Sequence, residues 1–124
     1  MKASKFRSEK TVVDGITFDS KKEAGYYKHL KTLELEGKIS DLRLQVPYVI
    51  ADPVWVDVEK QLKTKTKTVR YCVWHGLKYI ADFVYKDNET GEEKVIDVKG
   101  FRTKEYRHKK ILMKRIKGID IIEV

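Results

Sequence analysis

The order of helical and strand-like segments is the feature that most constrains the fold of this 124-residue chain. A first helix is predicted over residues 21–36, because Ser20 is a favourable N-cap and Gly37 a favourable C-terminal stop. A second helix is predicted over residues 103–116, with Ile111, Leu112 and Ile116 as its core side. Helices on both sides of a run of strands predict a mixed α/β fold, in which the helices pack on one sheet.

The strands are predicted from alternation of apolar and polar residues. The first is expected at residues 41–50, the second runs over residues 69–74 and continues over 77–86 after a possible break at His75-Gly76, and the third is at 94–99. A short apolar strand is expected at 119–124. Residues 51–68 form a basic insertion that is either a polar hairpin arm or a mobile loop, and Trp55 and Trp74 are expected in the core. The predicted order is therefore α-β-β-β-α-β within a single domain that spans residues 1–124.

The charge of the chain predicts a polyanionic partner. Lys and Arg number 27 against 19 Asp and Glu, which gives a net charge of +8. Residues 60–81 contain no acid, and residues 99–117 contain nine basic residues against the single acid Glu105. A solvated helix face normally mixes signs, so the second predicted helix is a candidate DNA-binding region, with a solvated face as the alternative. Residues 60–70 are a second candidate, because a basic arm can follow a phosphate backbone, with a mobile arm as the alternative. The candidate DNA contacts are Lys63, Lys65, Lys67, Arg70, Arg102, Thr103, Lys104, Tyr106, Arg107, Lys109 and Lys110.

The composition of the chain also bears on membrane partners, on disulfide or zinc sites, and on the cellular compartment. No apolar run approaches the roughly 20 residues of a membrane-spanning helix, so no membrane partner is expected. The single cysteine, Cys72, excludes an intramolecular disulfide and a cysteine-rich zinc site. We expect a cytoplasmic protein, with a homodimer left open.

Two acids lie inside apolar strand patterns. Alternation places Asp82 on one face with Ile80 and Val84, and it places Asp97 and Lys99 on one face with Val95. If residues 88–91 form a four-residue loop, paired residue numbers sum to 179 and Asp82 falls opposite Asp97. Because opposed like charges are destabilising, a cation is expected between them. That cation is either Lys99, in a surface ion cluster, or a divalent metal ion.

Glu23 is a third candidate acid, and it has two interpretations. It lies three, four and seven residues before Tyr26, Tyr27 and Leu30, on the inward face of the first predicted helix. Ser20 and Glu23 also fit the capping box, in which the glutamate folds back to the N-cap amide. The sequence leaves both interpretations open.

Four short blocks in order resemble the PD-(D/E)XK nuclease superfamily, and most closely its small phage- and prophage-encoded branch of undefined function. The blocks are residues 13–24, which contain Glu23, residues 37–42, residues 79–83 around Asp82, and residues 97–100 around Asp97 and Lys99. The resemblance covers nearly the whole chain and implies a restriction-endonuclease-like fold. Ala81 stands where the family name has proline, and Asp97 stands where many members have glutamate.

The resemblance implies a role for each matching residue. Asp82, Asp97, the Val98 carbonyl and Glu23 would hold Mg²⁺ or Mn²⁺, and Lys99 would orient or deprotonate the attacking water. The chain would then be a Mg²⁺-dependent DNA endonuclease of phage recombination or replication in a bacterial host. By similarity to small Holliday-junction resolvases, branched DNA is a candidate substrate. The alternative is a non-catalytic DNA-binding module with a degenerate nuclease fold.

Overall fold

A computed structural model describes residues 9–99 and 102–124 of the chain. It has mixed α/β architecture, with two helices and a four-stranded sheet of mixed orientation, which confirms the predicted fold class. The elements in chain order are β1 (Thr11–Val13), β2 (Ile16–Phe18), α1 (Lys21–Leu35), β3 (Ile39–Ala51), β4 (Val54–Gln61), β5 (Thr66–Trp74), β6 (Leu77–Asp87), β7 (Glu93–Asp97), α2 (Lys104–Lys117) and β8 (Ile121–Glu123).

The central sheet has the order β3-β6-β7-β8. Its first two pairings are antiparallel, and β7 pairs with β8 in parallel, since α2 carries the chain between them. Leaving aside the short β1–β2 ribbon and the β4–β5 hairpin, the order is the predicted α-β-β-β-α-β. The predicted strand break at Gly100 lies outside the described residues.

Two buried clusters hold the layers together. The cluster that includes Phe18, Leu30 and Phe83 joins α1 and the β1–β2 ribbon to the sheet. The second cluster includes Tyr79 and Met113 and joins α2 to the sheet. Each helix therefore buries its apolar side against the same β-strands, which fixes the two helices around the strands that carry Asp82 and Asp97.

The core face of α2 differs from the predicted one. Ile111 and Ile116 are 63% and 56% exposed, whereas Met113 and Tyr106 are buried and Leu112 packs beside them. Basic residues lie all around this helix, so its apolar stripe is too short for the sequence to define the buried face. The prediction of Ile111 and Ile116 as core residues was wrong.

Residues 51–68 belong to a hairpin, which decides between the two alternatives left open by the sequence. Strands β4 and β5 pair with each other and pack against no other described helix or strand. Trp55 and Trp74 are 48% and 46% exposed, so their predicted core position was wrong. The alternating apolar residues of β4 and β5 are typical of two strands that pair with each other, and they do not show that either strand is covered by a helix.

Candidate active site

The strands β6 and β7 separate where Asp82 and Asp97 lie. Their ladder follows the predicted register, with residue numbers that sum to 179, and its last pair is Phe83 with Ile96. At the next position the backbone pairing stops, and the Val98 amide donates instead to Asp82 Oδ2 at 2.8 Å. The loop length thus set the register correctly, but the carboxylate of Asp82 replaces the backbone acceptor at the end of the ladder.

The side chains of β6 also stop alternating regularly between the two faces of the sheet at Asp82. Ala81 packs in the cluster beneath α2, whereas Phe83, two residues later, packs in the cluster beneath α1. Residues two apart share a face in a regular strand, so the strand is irregular at this point. Ile80 is 54% exposed while Val84 is fully buried, and the predicted common face of Asp82 with both residues was therefore wrong.

Asp97 is a buried carboxylate with two fixed neighbours. It is 1% exposed, and Tyr79 donates its hydroxyl to Asp97 Oδ2 at 2.5 Å. Asp97 Oδ1 lies 3.1 Å from Lys99 Nζ but has no hydrogen-bond partner among the described residues. The Lys99 ammonium also lies 4.4 Å from the centre of the Tyr106 ring, so both its charge and its position are constrained.

The ion pair supplies the cation that the sequence required near the two acids. Lys99 fulfils the ion-cluster interpretation for Asp97, because it contacts Oδ1 directly. It leaves that oxygen without a hydrogen bond, and a buried carboxylate oxygen in this state retains acceptor capacity. Lys99 therefore accounts for the charge of Asp97, and a divalent ion at this oxygen stays a prediction.

Glu23 lies at the start of α1 and is 7% exposed. Ser20 Oγ accepts the Glu23 backbone amide at 3.1 Å, so the serine half of the capping box is present. The Glu23 carboxylate, however, accepts a hydrogen bond from Gln45 Nε2 at 3.3 Å, which directs it towards the sheet. Burial, and next the charge of Asp82, raise the pKa of Glu23 to about 7.

Gln45 joins two of the acids. The same Nε2 atom that contacts Glu23 donates to Asp82 Oδ1 at 3.4 Å. Asp82 is consequently held at both oxygens, by Gln45 on one side and by Val98 on the other. Burial raises the pKa of Asp82 to about 6, with a further contribution from Asp97, although the hydrogen bond from Val98 opposes the rise.

The donor atoms at this site suit a hard divalent ion in part. Asp82 and Asp97 provide carboxylate oxygens, and Mg²⁺ commonly binds one or two carboxylates with water completing its shell. The observed contact of Val98 with this site is made by its amide, so the ligand role of its carbonyl stays a prediction. Within residues 9–99 and 102–124, no group of three His, Cys, Asp or Glu side chains comes together as a complete metal site. Glu23 connects to Asp82 through Gln45, so a direct ligand role for Glu23 stays a prediction.

The predicted DNA contacts on the second helix and just before it lie in four different environments. Lys104 and Arg107 are exposed, and Thr103 caps the helix by accepting the Tyr106 amide at 3.1 Å. Arg102 and Lys110 both contact Glu123, at 3.0 and 3.2 Å, and Lys109 contacts Glu105. Tyr106 is 6% exposed beneath Lys99, so little of its side chain is available for the predicted contact with DNA.

A groove of about 690 Å³ is lined by Lys99, by the N-terminal part of α2 and by residues 75–80. Its basic lining includes Lys78, Lys99 and Lys109. The other predicted contacts lie on the hairpin, where Lys63, Lys65 and Lys67 are exposed near the tip. Arg70 lies over the Trp55 ring at 4.8 Å, in the same hairpin.

Two residues that contact the site could not be predicted from the sequence. Tyr79 looks like an ordinary core aromatic in a strand, although its hydroxyl orients Asp97. Lys22 looks like a solvated helix residue, yet its ammonium donates to the Lys99 carbonyl at 3.1 Å. Neither carries a local pattern that signals the contact, because both partners are distant in sequence.

A comparison with family models finds one match, over residues 3–122, to a protein family of unknown function, DUF1064. The chain belongs to the DUF1064 family. No curated protein and no solved structure gives a significant match. Among the described residues, no helix is long and apolar enough to cross a membrane.

Proposed function

We propose that this chain is a Mg²⁺-dependent DNA endonuclease whose reacting site is formed by Asp82, Asp97 and Lys99. The observation that carries the proposal is the juxtaposition of two carboxylates and a lysine where β6 and β7 separate. Asp97 is buried with one oxygen that lacks a hydrogen bond, and Lys99 lies 3.1 Å away. Buried charge is costly unless it is paired or ligating, and this carboxylate is paired with a lysine that is itself partly exposed.

Each residue of the site has a separate proposed role in phosphodiester hydrolysis. A bound divalent ion would neutralise phosphodiester charge and lower the pKa of a coordinated water. Asp82, Asp97 and the Val98 carbonyl would hold that ion. Tyr79 keeps the Asp97 carboxylate oriented, and Lys99 presents an ammonium group beside it, where it would orient the attacking water.

Basic side chains around this site support DNA as the polyanion. The net charge of +8 favours association with nucleic acid in general. The groove lined by Lys99 also presents Lys78 to a phosphate backbone, with Lys109 paired to Glu105 beside it. Lys63, Lys65 and Lys67 are exposed on a hairpin that contacts no other described helix or strand. A role in phage recombination or replication, with branched DNA such as a Holliday junction as substrate, belongs to this proposal and rests on the family resemblance.

A non-catalytic DNA-binding module is the second candidate. It is favoured by the absence of a three-acid metal cluster among the described residues and by the direct ion pair of Asp97 with Lys99. In that interpretation the acids and the lysine form a structural ion cluster, and the basic surface alone carries the function.

Incubation of the purified protein with four DNA forms separates these candidates. Linear, nicked, single-stranded and four-way DNA are each treated with Mg²⁺ or with EDTA. The endonuclease proposal expects strand cleavage in Mg²⁺ alone and predicts that four-way DNA is preferred. Binding of these DNA forms without cleavage under any condition would favour the non-catalytic module.

A further inference from the structure

The backbone of Gln45 is unusual for the middle of a strand. Its φ angle is +51°, in the left-handed region, where residues other than glycine, asparagine and aspartate are uncommon. Leu44 pairs with Phe83 and Val46 pairs with Ala81, but Gln45 itself is missing from the ladder opposite Asp82. At this point the chain leaves regular pairing for a single residue and returns to the same register, unlike the two register shifts nearer the ends of β3.

This departure has a chemical consequence at the site. The Gln45 amide lies between two carboxylates and donates from Nε2 to Glu23 Oε1 at 3.3 Å and to Asp82 Oδ1 at 3.4 Å. An NH₂ group has two hydrogens, so it can satisfy both acceptors at once. The hydrogen-bonded path then runs from Glu23 through Gln45 to Asp82 and on to the Val98 amide.

We propose that Gln45 is a positioning residue that fixes the Asp82 carboxylate, and that Glu23 acts on the site through Gln45. This inference rests on the proposed function, because Asp82 is one of the groups that would hold the divalent ion. Groups that orient a ligating carboxylate typically account for 10–100-fold in metal affinity. Glu23 and Gln45 would thus tune the affinity of the site, with Asp82 and Asp97 as its direct ligands.

The two hydrogen bonds from Gln45 to Glu23 and Asp82, here called the Gln45 bridge, can be observed by NMR because the chain contains few side-chain amides. The chain contains only two glutamines, Gln45 and Gln61, and one asparagine, Asn88. A ¹⁵N-edited NMR spectrum in EDTA therefore contains three side-chain NH₂ pairs, and Gln45→Glu identifies one by its disappearance. We expect Glu23→Gln and Asp82→Asn each to shift the Gln45 pair while the Gln61 pair, on the exposed hairpin, stays in place.

The affinity of the protein for Mn²⁺ measures the effect of the Gln45 bridge on the site, and the measurement needs neither DNA nor catalytic turnover. Gln45→Gly removes the amide and suits the positive φ angle, so loss of the bridge is not confounded by backbone strain. We expect Mn²⁺, followed by calorimetry, to bind this variant 10–100-fold more weakly than wild type. Gln61→Ala is the matched control and should bind as wild type does.

The outcomes distinguish this inference from the function on which it rests. Mn²⁺ affinity unchanged in Gln45→Gly, or a Gln45 NH₂ pair that responds to neither acid substitution, would overturn the inference while leaving cleavage by the wild type intact. Wild-type protein that neither binds Mn²⁺ nor cleaves DNA would overturn the proposed function and the inference together.

Discussion

Replacing Glu23 with glutamine should stabilise the fold at pH 8 and leave it nearly unchanged at pH 5. The cause is burial, which, together with the charge of Asp82, raises the pKa of Glu23 from 4.5 to about 7. Between these values the folded chain keeps a proton that the unfolded chain has lost, so stability falls as pH rises through this window. Glutamine resembles the protonated acid at every pH and avoids this loss.

The size of the effect follows from the change in pKa. Each pKa unit corresponds to about 1.4 kcal/mol, so a rise from 4.5 to about 7 corresponds to about 3 kcal/mol. Solvent screens part of the carboxylate charge, so we halve this free energy, which leaves about 1–2 kcal/mol. For a chain of this length, that is an increase in Tm of about 3–8 °C at pH 8.

Thermal unfolding in EDTA at pH 5 and pH 8 measures the prediction. Glutamine also serves at the third position of a capping box, so loss of the cap should not obscure the gain. Glu59→Gln, on the exposed hairpin, is the matched control and should show no gain at pH 8. A Glu23→Gln variant with the same Tm difference from wild type at both pH values would refute the reasoning.

Three further predictions concern charge at the site and on the hairpin. Asp97→Asn should lower stability in EDTA by about 1–2 kcal/mol, measured by urea unfolding, because Lys99 loses its buried partner; an increase would indicate that repulsion between the acids dominates. Lys99→Ala should reduce cleavage at least 100-fold while DNA affinity, measured by fluorescence anisotropy, changes little. Replacing Lys63, Lys65 and Lys67 with alanine should reduce a log–log salt slope of about −5 by up to ~3, and an unchanged slope would exclude the hairpin from phosphate contact.

The sequence predicted what local rules determine. Ser20 begins α1 as an N-cap through its hydrogen bond to the Glu23 amide, and the loop after β6 sets the register that brings Asp82 level with Asp97. These features depend on a few consecutive residues, so their physical causes can be identified in the sequence.

The rest depends on contacts between distant residues. The left-handed backbone of Gln45 and the hydrogen bond from Tyr79 to Asp97 have no local signature. Exposure of Trp55 also could not be predicted, because alternation does not show whether a paired strand lies beneath a helix. The short β1–β2 ribbon was missed, since strands of three residues are too brief for periodicity to identify.

Single-turnover cleavage of DNA by wild type and by Asp82→Asn, with DNA affinity measured for both proteins, tests the central claim most directly. Asparagine keeps the shape of the side chain but removes the charge that would hold a divalent ion. The account predicts Mg²⁺-dependent cleavage by wild type and a loss of at least 100-fold in Asp82→Asn, with DNA affinity unchanged or slightly increased. Equal cleavage rates for the two proteins, or no cleavage by wild type in Mg²⁺, would contradict it.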